Sequence, residues 1–222
     1  AVAANSKYLA DYAAKYNDHS ADIGQGCEVD EFIAVPAAMP SDISIIQFPV
    51  IGYCGSLTST RLDIELIHFI AAQKPGWNVV LVGPEDDAFK NSSLHELKNV
   101  YFLGSKQPGE LPLYVHAFDV CFNPQLLNQM TIGNYPRKVD EYLAAGKPVV
   151  ATKTTAMEMF GQQVYLCNDK EEYIEKIQLA LNEAKIKEKM EARILLAQSH
   201  TWEASVNELY KLITKTIHPH DS

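Results

Sequence analysis

Thr131-Ile132-Gly133-Asn134-Tyr135-Pro136-Arg137-Lys138-Val139-Asp140-Glu141-Tyr142-Leu143-Ala144-Ala145-Gly146-Lys147-Pro148-Val149-Val150 reads as one short helix and the strand that follows it. Asn134 suits the N-cap, and Pro136 suits the first turn, where a backbone N–H has no helical partner to lose. Gly146 suits the stop, since helix ends favour a residue free to turn left-handed, and Pro148 then opens a buried strand. Within the helix Val139, Tyr142 and Leu143 share the core face. Lys138 and Glu141, three apart, share a different one.

The same alternation extends outward from this stretch. Short apolar runs fall at Val50–Cys54, Trp77–Val82, Val100–Leu103, Val120–Phe122, Pro148–Ala151 and Val164–Cys167, with Leu62, Leu66, Phe69 and Ile70 marking a helix face between the first two. Continuous apolar strands separated by helices predict a parallel sheet covered on both faces. The expected fold is therefore α/β: a Rossmann-like, doubly wound parallel sheet of about six strands over residues 48–198. Asp169 with Glu172 forms a capping-box pattern opening a helix that runs to about Glu183. A last helix is expected from Thr201 to Thr216, capped by Thr201, with Trp202, Val206, Leu209, Leu212 and Ile213 apolar. The tail, His218–Ser222, is expected to fray. Upstream, residues 1–17 read as one helix on Leu9, Tyr12, Ala13 and Tyr16, and Asn17–Pro49 reads as a linker.

Composition narrows the function. A chain of 222 residues, 47% hydrophobic, can bury one full core plus an appendage. No apolar run approaches the roughly 20 residues of a membrane helix, and no signal peptide is visible. The chain opens at Ala1 inside an apparent helix, which points to a piece of a longer protein. The net charge of −9 argues against nucleic acid, whose phosphates need clustered Lys and Arg. Cys27, Cys54, Cys121 and Cys167 are widely spaced without a C-x-x-C pattern, so they read as buried free thiols of a cytoplasmic protein. Neither a Walker loop nor G-x-G-x-x-G is present, which counts against ATPase and dehydrogenase chemistry. Glu85-Asp86-Asp87 reads as a solvated loop, so no metal site is expected, and no cofactor.

Ligands of open α/β sheets bind where strand ends meet helix starts. Three such junctions carry suggestive chemistry. In the first, Gly52-Tyr53-Cys54-Gly55-Ser56-Leu57 leads to Arg61. Gly55 permits a tight turn, and Arg61 at the start of the next helix would clamp a diphosphate; the plain alternative is a glycine turn with a solvated arginine. In the second, Arg137 and Lys138 at a helix start would favour phosphate. Glu141, one turn on, could accept both hydrogen bonds of a ribose diol, the alternative being a solvated Lys138–Glu141 pair. In the third, Asn99-Val100-Tyr101-Phe102-Leu103-Gly104 ends in glycine, where backbone groups could meet a base edge.

Taken in order, Gly-Ser-Leu leading to Arg61-Leu62-Asp63, Asn99–Gly104, Leu111-Pro112-Leu113-Tyr114 and Lys138–Thr152 resemble the C-terminal domain of family-four GT-B glycosyltransferases. The match runs from about Ile51 to Leu181, and Glu141–Val150 is its most specific part. Ser6–Leu9 and Gly26–Phe32 resemble the last helix of the preceding domain and the interdomain connection. The resemblance therefore divides the chain into residues 1–47, the end of an N-terminal domain and its linker; 48–198, the nucleotide-sugar-binding domain; and 199–222, a helix crossing back. It implies that Glu141 holds ribose, that the backbone of Pro136–Val139 with Asn134, Tyr135 and Arg137 cradles the diphosphate, and that Arg61 and Lys138 stabilise it as leaving group. It further implies that Gly55 and Ser56 lie against it and that Phe102 and Leu103 lie by the base. Ser56 replaces a second diphosphate-binding Arg of the family. Gly133, eight before Glu141, replaces a Glu that contacts the donor sugar. The implied reaction is metal-independent, retaining sugar transfer from a nucleotide-diphosphate sugar. The acceptor domain, and any peripheral membrane contact through it, would lie outside this chain, which alone would bind nucleotide weakly and transfer nothing. Two other readings fit the fold: a nucleotide-sugar epimerase, for which no acid–base pair is evident, and a non-enzymatic flavodoxin-like interaction domain.

Overall fold

The computed structural model describes residues 1–217; the tail expected to fray, His218–Ser222, lies outside the described residues. The chain opens with a small β-α-β unit. Strands β1 (Val2–Ala4) and β2 (Ser20–Asp22) pair in parallel across helix α1 (Lys7–Ala14), whose first turn Ser6 caps. Residues 1–17 are thus not one helix. The spacing of Leu9, Tyr12 and Tyr16 does mark one face, but that face is exposed, and Ala10 is the residue of α1 that is buried. Short helices α2 (Asp30–Ile33) and α3 (Ser41–Ser44) follow, and Phe32 and Ile43 bury in the core on the side of the helices that cover one face of the main sheet, so this stretch is more than a linker.

The main sheet is six-stranded and wholly parallel, in the order β5-β4-β3-β6-β7-β8. Its strands are β3 (Val50–Cys54), β4 (Asn78–Val82), β5 (Val100–Gly104), β6 (Val120–Asn123), β7 (Val149–Thr152) and β8 (Val164–Cys167). Side chains alternate along each strand, so the sheet carries a core on either face. Ile51, Tyr53, Val79, Leu81 and Phe122 pack under α4 (Ile64–Gln73), α5 (Asp87–Lys90) and α8 (Lys170–Glu183). On the opposite face Val50, Cys54, Val80, Cys121 and Val149 pack under α6 (Leu111–Ala117), α7 (Arg137–Ala144) and α9 (Lys187–Ser199). Gly52 is required on this second face, because a Cβ there would lie 2.1 Å from the Phe118 ring. All four cysteines are free and buried, and burial raises each thiol pKa, to about 12 for Cys27 and Cys167.

Asp169 caps α8, accepting from Glu172 N at 2.8 Å, while the Glu172 carboxylate returns to Asn168 N at 2.9 Å. Thr201 caps the last helix, α10 (Trp202–Ile217), accepting from Ala204 N. Of the apolar positions on α10 only Leu212 is buried; Val206 is 44% and Ile213 38% exposed. The helix lies beside Ile23, Gly24 and Gln25 of the N-terminal unit, where a Cβ on Gly26 would meet Trp202 at 2.3 Å.

Candidate functional site

Strand order reverses between β3 and β6, so their C-terminal ends part and leave a crevice. Pairing of the two strands is registered at Ile51 and Gly52, below the level of Cys54. The Cys54 N–H and C=O are met instead by the Tyr142 hydroxyl, which accepts at 2.9 Å and donates at 3.2 Å. This buried pair of bonds fastens α7 to the end of β3.

On one side of the crevice β3, β4 and β5 run out into Gly55, Gly83 and Gly104, at φ +141°, +148° and +69°. Gly83 N donates to Gly104 O at 3.0 Å, and Gly55 N donates to Val82 O at 2.8 Å. A Cβ on Gly83 would stand 2.0 Å from the Gly55 carbonyl oxygen, so the strand ends meet backbone to backbone. Gly83 escaped the sequence reading; its constraint comes from a neighbouring strand. Lys138 arches across this floor, with its Cε 2.9 Å from where a Gly55 Cβ would be and its Nζ 5.3 Å from the centre of the Tyr53 ring.

A cavity of about 330 Å³ occupies the crevice, lined by Arg61, Asn134, Tyr135, Pro136, Arg137 and Lys138 together with Asn5, Asn123 and Gln125. No carboxylate lines it. Arg61 does not begin a helix, as the sequence suggested. It sits in a turn, and α4 starts at Ile64 behind its own cap, Asp63. That turn is fixed by the loop leaving β6: Leu126 N donates to Arg61 O at 2.8 Å and Asp63 N to Pro124 O at 2.9 Å. Ser56 lies exposed on the same loop.

Asn134 is not the N-cap of α7. A turn closed by Asn134 N on Thr131 O ends two residues early, Pro136 takes the cap position, and Pro has no side-chain acceptor to offer. The first N–H groups of α7 therefore have no side-chain cap, and the helix opens on the cavity beside Arg61 and Lys138. Neither of those cations has a carboxylate within 4.0 Å among the described residues, whereas Arg137 Nε lies 3.2 Å from Glu141 Oε1. The Lys138–Glu141 pair considered from spacing is thus replaced by Arg137–Glu141, because Lys138 is drawn toward Tyr53. Glu141 stands just outside the cavity lining, its side chain 15% exposed. Burial pushes its carboxyl pKa up, and the charges of Arg137 and Lys138 oppose that rise.

The remaining expected residues are placed around this centre. Val139 is wholly buried and anchors α7. Phe102 stacks on His95 at 3.9 Å, on the α4 face, and Leu103 packs toward the other face, both half-buried. Gly133 is covered by α1: a Cβ there would lie 2.3 Å from the Tyr8 ring, and Ser6 Oγ donates to its carbonyl at 2.7 Å. Of the acidic run, Asp86 caps α5 and bonds Ser59, and no metal-binding cluster of His, Cys, Asp or Glu occurs among the described residues. No helix among them is long and apolar enough to cross a membrane.

Residues 48–183 match the model of a family described as glycosyl transferases group 1. A protein of Bacillus subtilis (strain 168), whose name assigns it provisionally to teichuronic acid biosynthesis as the glycosyltransferase TuaH, is 35% identical over 137 residues, covering 59% of this chain and 33% of its own length. Among solved structures, Anabaena Alr3699/HepE in complex with UDP is 20% identical with a TM-score of 0.76, over 96% of this chain and 63% of that one. A glycosyltransferase from Rickettsia africae is 14% identical with a TM-score of 0.78, over 100% of this chain and 64% of that one. This chain therefore spans about a third of the curated relative and less than two thirds of these structures. The fold and the family match coincide on the sheet that builds the crevice, and the chain belongs to the glycosyl transferases group 1.

Proposed function

We propose that this chain is the donor-binding half of a glycosyltransferase that uses a nucleotide-diphosphate sugar. One observation carries the reading: the uncapped start of α7 faces Arg61 and Lys138 across a floor of glycines. Two cations and the Arg137 and Lys138 N–H groups, which no side chain caps, suit a diphosphate, while the Val139 N–H is taken by Pro136 O at 2.8 Å. When the bond between the anomeric carbon and the diphosphate breaks, its electron pair leaves with the phosphate oxygen. Arg61, Lys138 and the N–H groups of α7 stabilise that charge without a metal ion. Glu141 accepts from the ribose hydroxyls, and the backbone at Phe102 and Leu103 meets the base. Transfer is retaining, and the acceptor is held by a domain outside residues 1–222. The buried free thiols support a cytoplasmic location.

The Anabaena relative has been captured with UDP and with UDP-glucose, which makes UDP the first nucleotide to try. Calorimetric titration of UDP and GDP is expected to show binding of at least one, competed by the matching nucleotide sugar. Residues 1–222 alone are expected to transfer no sugar, while the full-length protein does. Absence of binding by either nucleotide would sink the site, and transfer by this chain alone would sink the division of labour.

A further inference from the structure

Asp140 is a carboxylate with no exposed surface, one residue before Glu141. Both of its oxygens are engaged: the Tyr135 hydroxyl donates to Oδ2 at 2.7 Å, and His200 Nδ1 lies 2.7 Å from Oδ1. A buried carboxylate persists only where donors fill its lone pairs, so the acid and its partners hold one another in place. The two partners belong to distant parts of the chain. Tyr135 lines the crevice just before α7. His200 ends α9 immediately before α10, its ring against the edge of Phe160, and its carbonyl accepts the Cys27 N–H at 3.0 Å. Cys27 and His200 lie in the two stretches by which the chain passes between the N-terminal unit with α10 and the main sheet. One histidine thus stands on one crossing, is bonded to the other and, through Asp140, to the first turn of α7.

We propose that His200 is a positioning residue for the donor site: through Asp140 and Tyr135 it sets residues 131–136 and the start of α7, so displacement at the two crossings is transmitted to the diphosphate cradle. The functional half of this inference rests on the donor-site reading above; the structural half does not. Both are tested in the full-length protein by amide hydrogen exchange and by calorimetric titration of UDP and GDP. His200→Ala is expected to speed exchange in residues 131–139 by about tenfold and to weaken nucleotide binding by about five- to tenfold, the loss of roughly one buried hydrogen bond. His200→Asn, whose side-chain amide can donate from near the Nδ1 position, is expected to restore both to within about twofold. Tyr135→Phe keeps the ring and probes the same network from its other end, so His200→Ala is expected to add little in its presence. Faster exchange confined to residues 199–202 with unchanged affinity, or fully additive effects of the two substitutions, would overturn the proposal. Should His200→Ala fail to fold, His200→Asn and Tyr135→Phe decide it by the same two measurements. If the unsubstituted protein binds neither nucleotide, the donor-site reading fails and the exchange arm still settles whether His200 positions α7.

Discussion

Two cavities open side by side at the C-terminal edge of the sheet and share Gln125, and each has a cation in its lining, yet they differ in the carboxylates and helix starts they offer a phosphate. The larger, about 640 Å³, lies between α4 and α8 and includes Asp63, Glu65 and Asp169 in its lining. Asp63 and Asp169 are the caps of α4 and α8, so both helix starts are closed by the protein's own carboxylates. The smaller cavity has no carboxylate, two cations without an acidic partner, and a helix start that a proline leaves uncapped. Volume would favour the first. Charge and free N–H groups favour the second, because an anion gains from an open helix start only when no side chain already fills it.

Gly83→Ala would break the comparison most severely. A Cβ placed at φ +148° and 2.0 Å from the Gly55 oxygen is expected to cost roughly 3 kcal/mol or more in stability, read from denaturant melts, and to remove nucleotide binding with it. Lys138→Ala leaves the fold intact and deletes one charged donor. It is expected to weaken nucleotide binding by about 1.5–3 kcal/mol, at least tenfold in calorimetry, and an unchanged affinity would move the diphosphate elsewhere. Glu141→Ala is expected to weaken UDP or GDP binding by about tenfold.

Glu141→Gln separates that loss from folding. Burial raises the Glu141 pKa in the folded state, so the fold disfavours the ionised form. The resulting cost is absent at pH below the ordinary carboxylate range and fully present above the raised value. The glutamine variant should therefore melt at or above the unsubstituted protein near pH 7, with the gap closing at about pH 4 and below. A variant less stable at neutral pH would make the Arg137 bond, and not desolvation, the larger effect. Asp169→Ala is the smallest change and the control. Loss of the α8 cap should cost about 1 kcal/mol in thermal or denaturant melts, and nucleotide affinity should not move.

Strand positions were the most legible part of the sequence. Val50–Cys54 and Val164–Cys167 match the observed strands end for end, because a strand buried on both faces is one unbroken apolar run. The stripe on α1 was legible as a stripe only, since periodicity reports which residues share a face and not whether anything covers it. At α7 the helix and its phosphate-favouring start were evident, but its cap belongs two residues later, at Pro136, which offers no side-chain acceptor. Glu141 was legible from its place one turn into the helix and from a family position, whereas its partner Arg137 depended on where Lys138 went in three dimensions. Gly83 and His200 gave no local signal. One is constrained by an adjacent strand, and the other meets Asp140 across sixty residues of chain.

The parting of β3 from β6 can also be viewed mechanically. The sheet behaves as two three-stranded plates, β5-β4-β3 and β6-β7-β8, joined along a short seam with Tyr142 as a rivet near its upper end. Arg61 follows β3 on the first plate, its turn hydrogen-bonded to the loop after β6, while Lys138 and the open start of α7 are carried by the second, in the connection after β6. A diphosphate gripped from both sides would therefore add to those bonds and brace the seam above the last registered pair of β3 and β6.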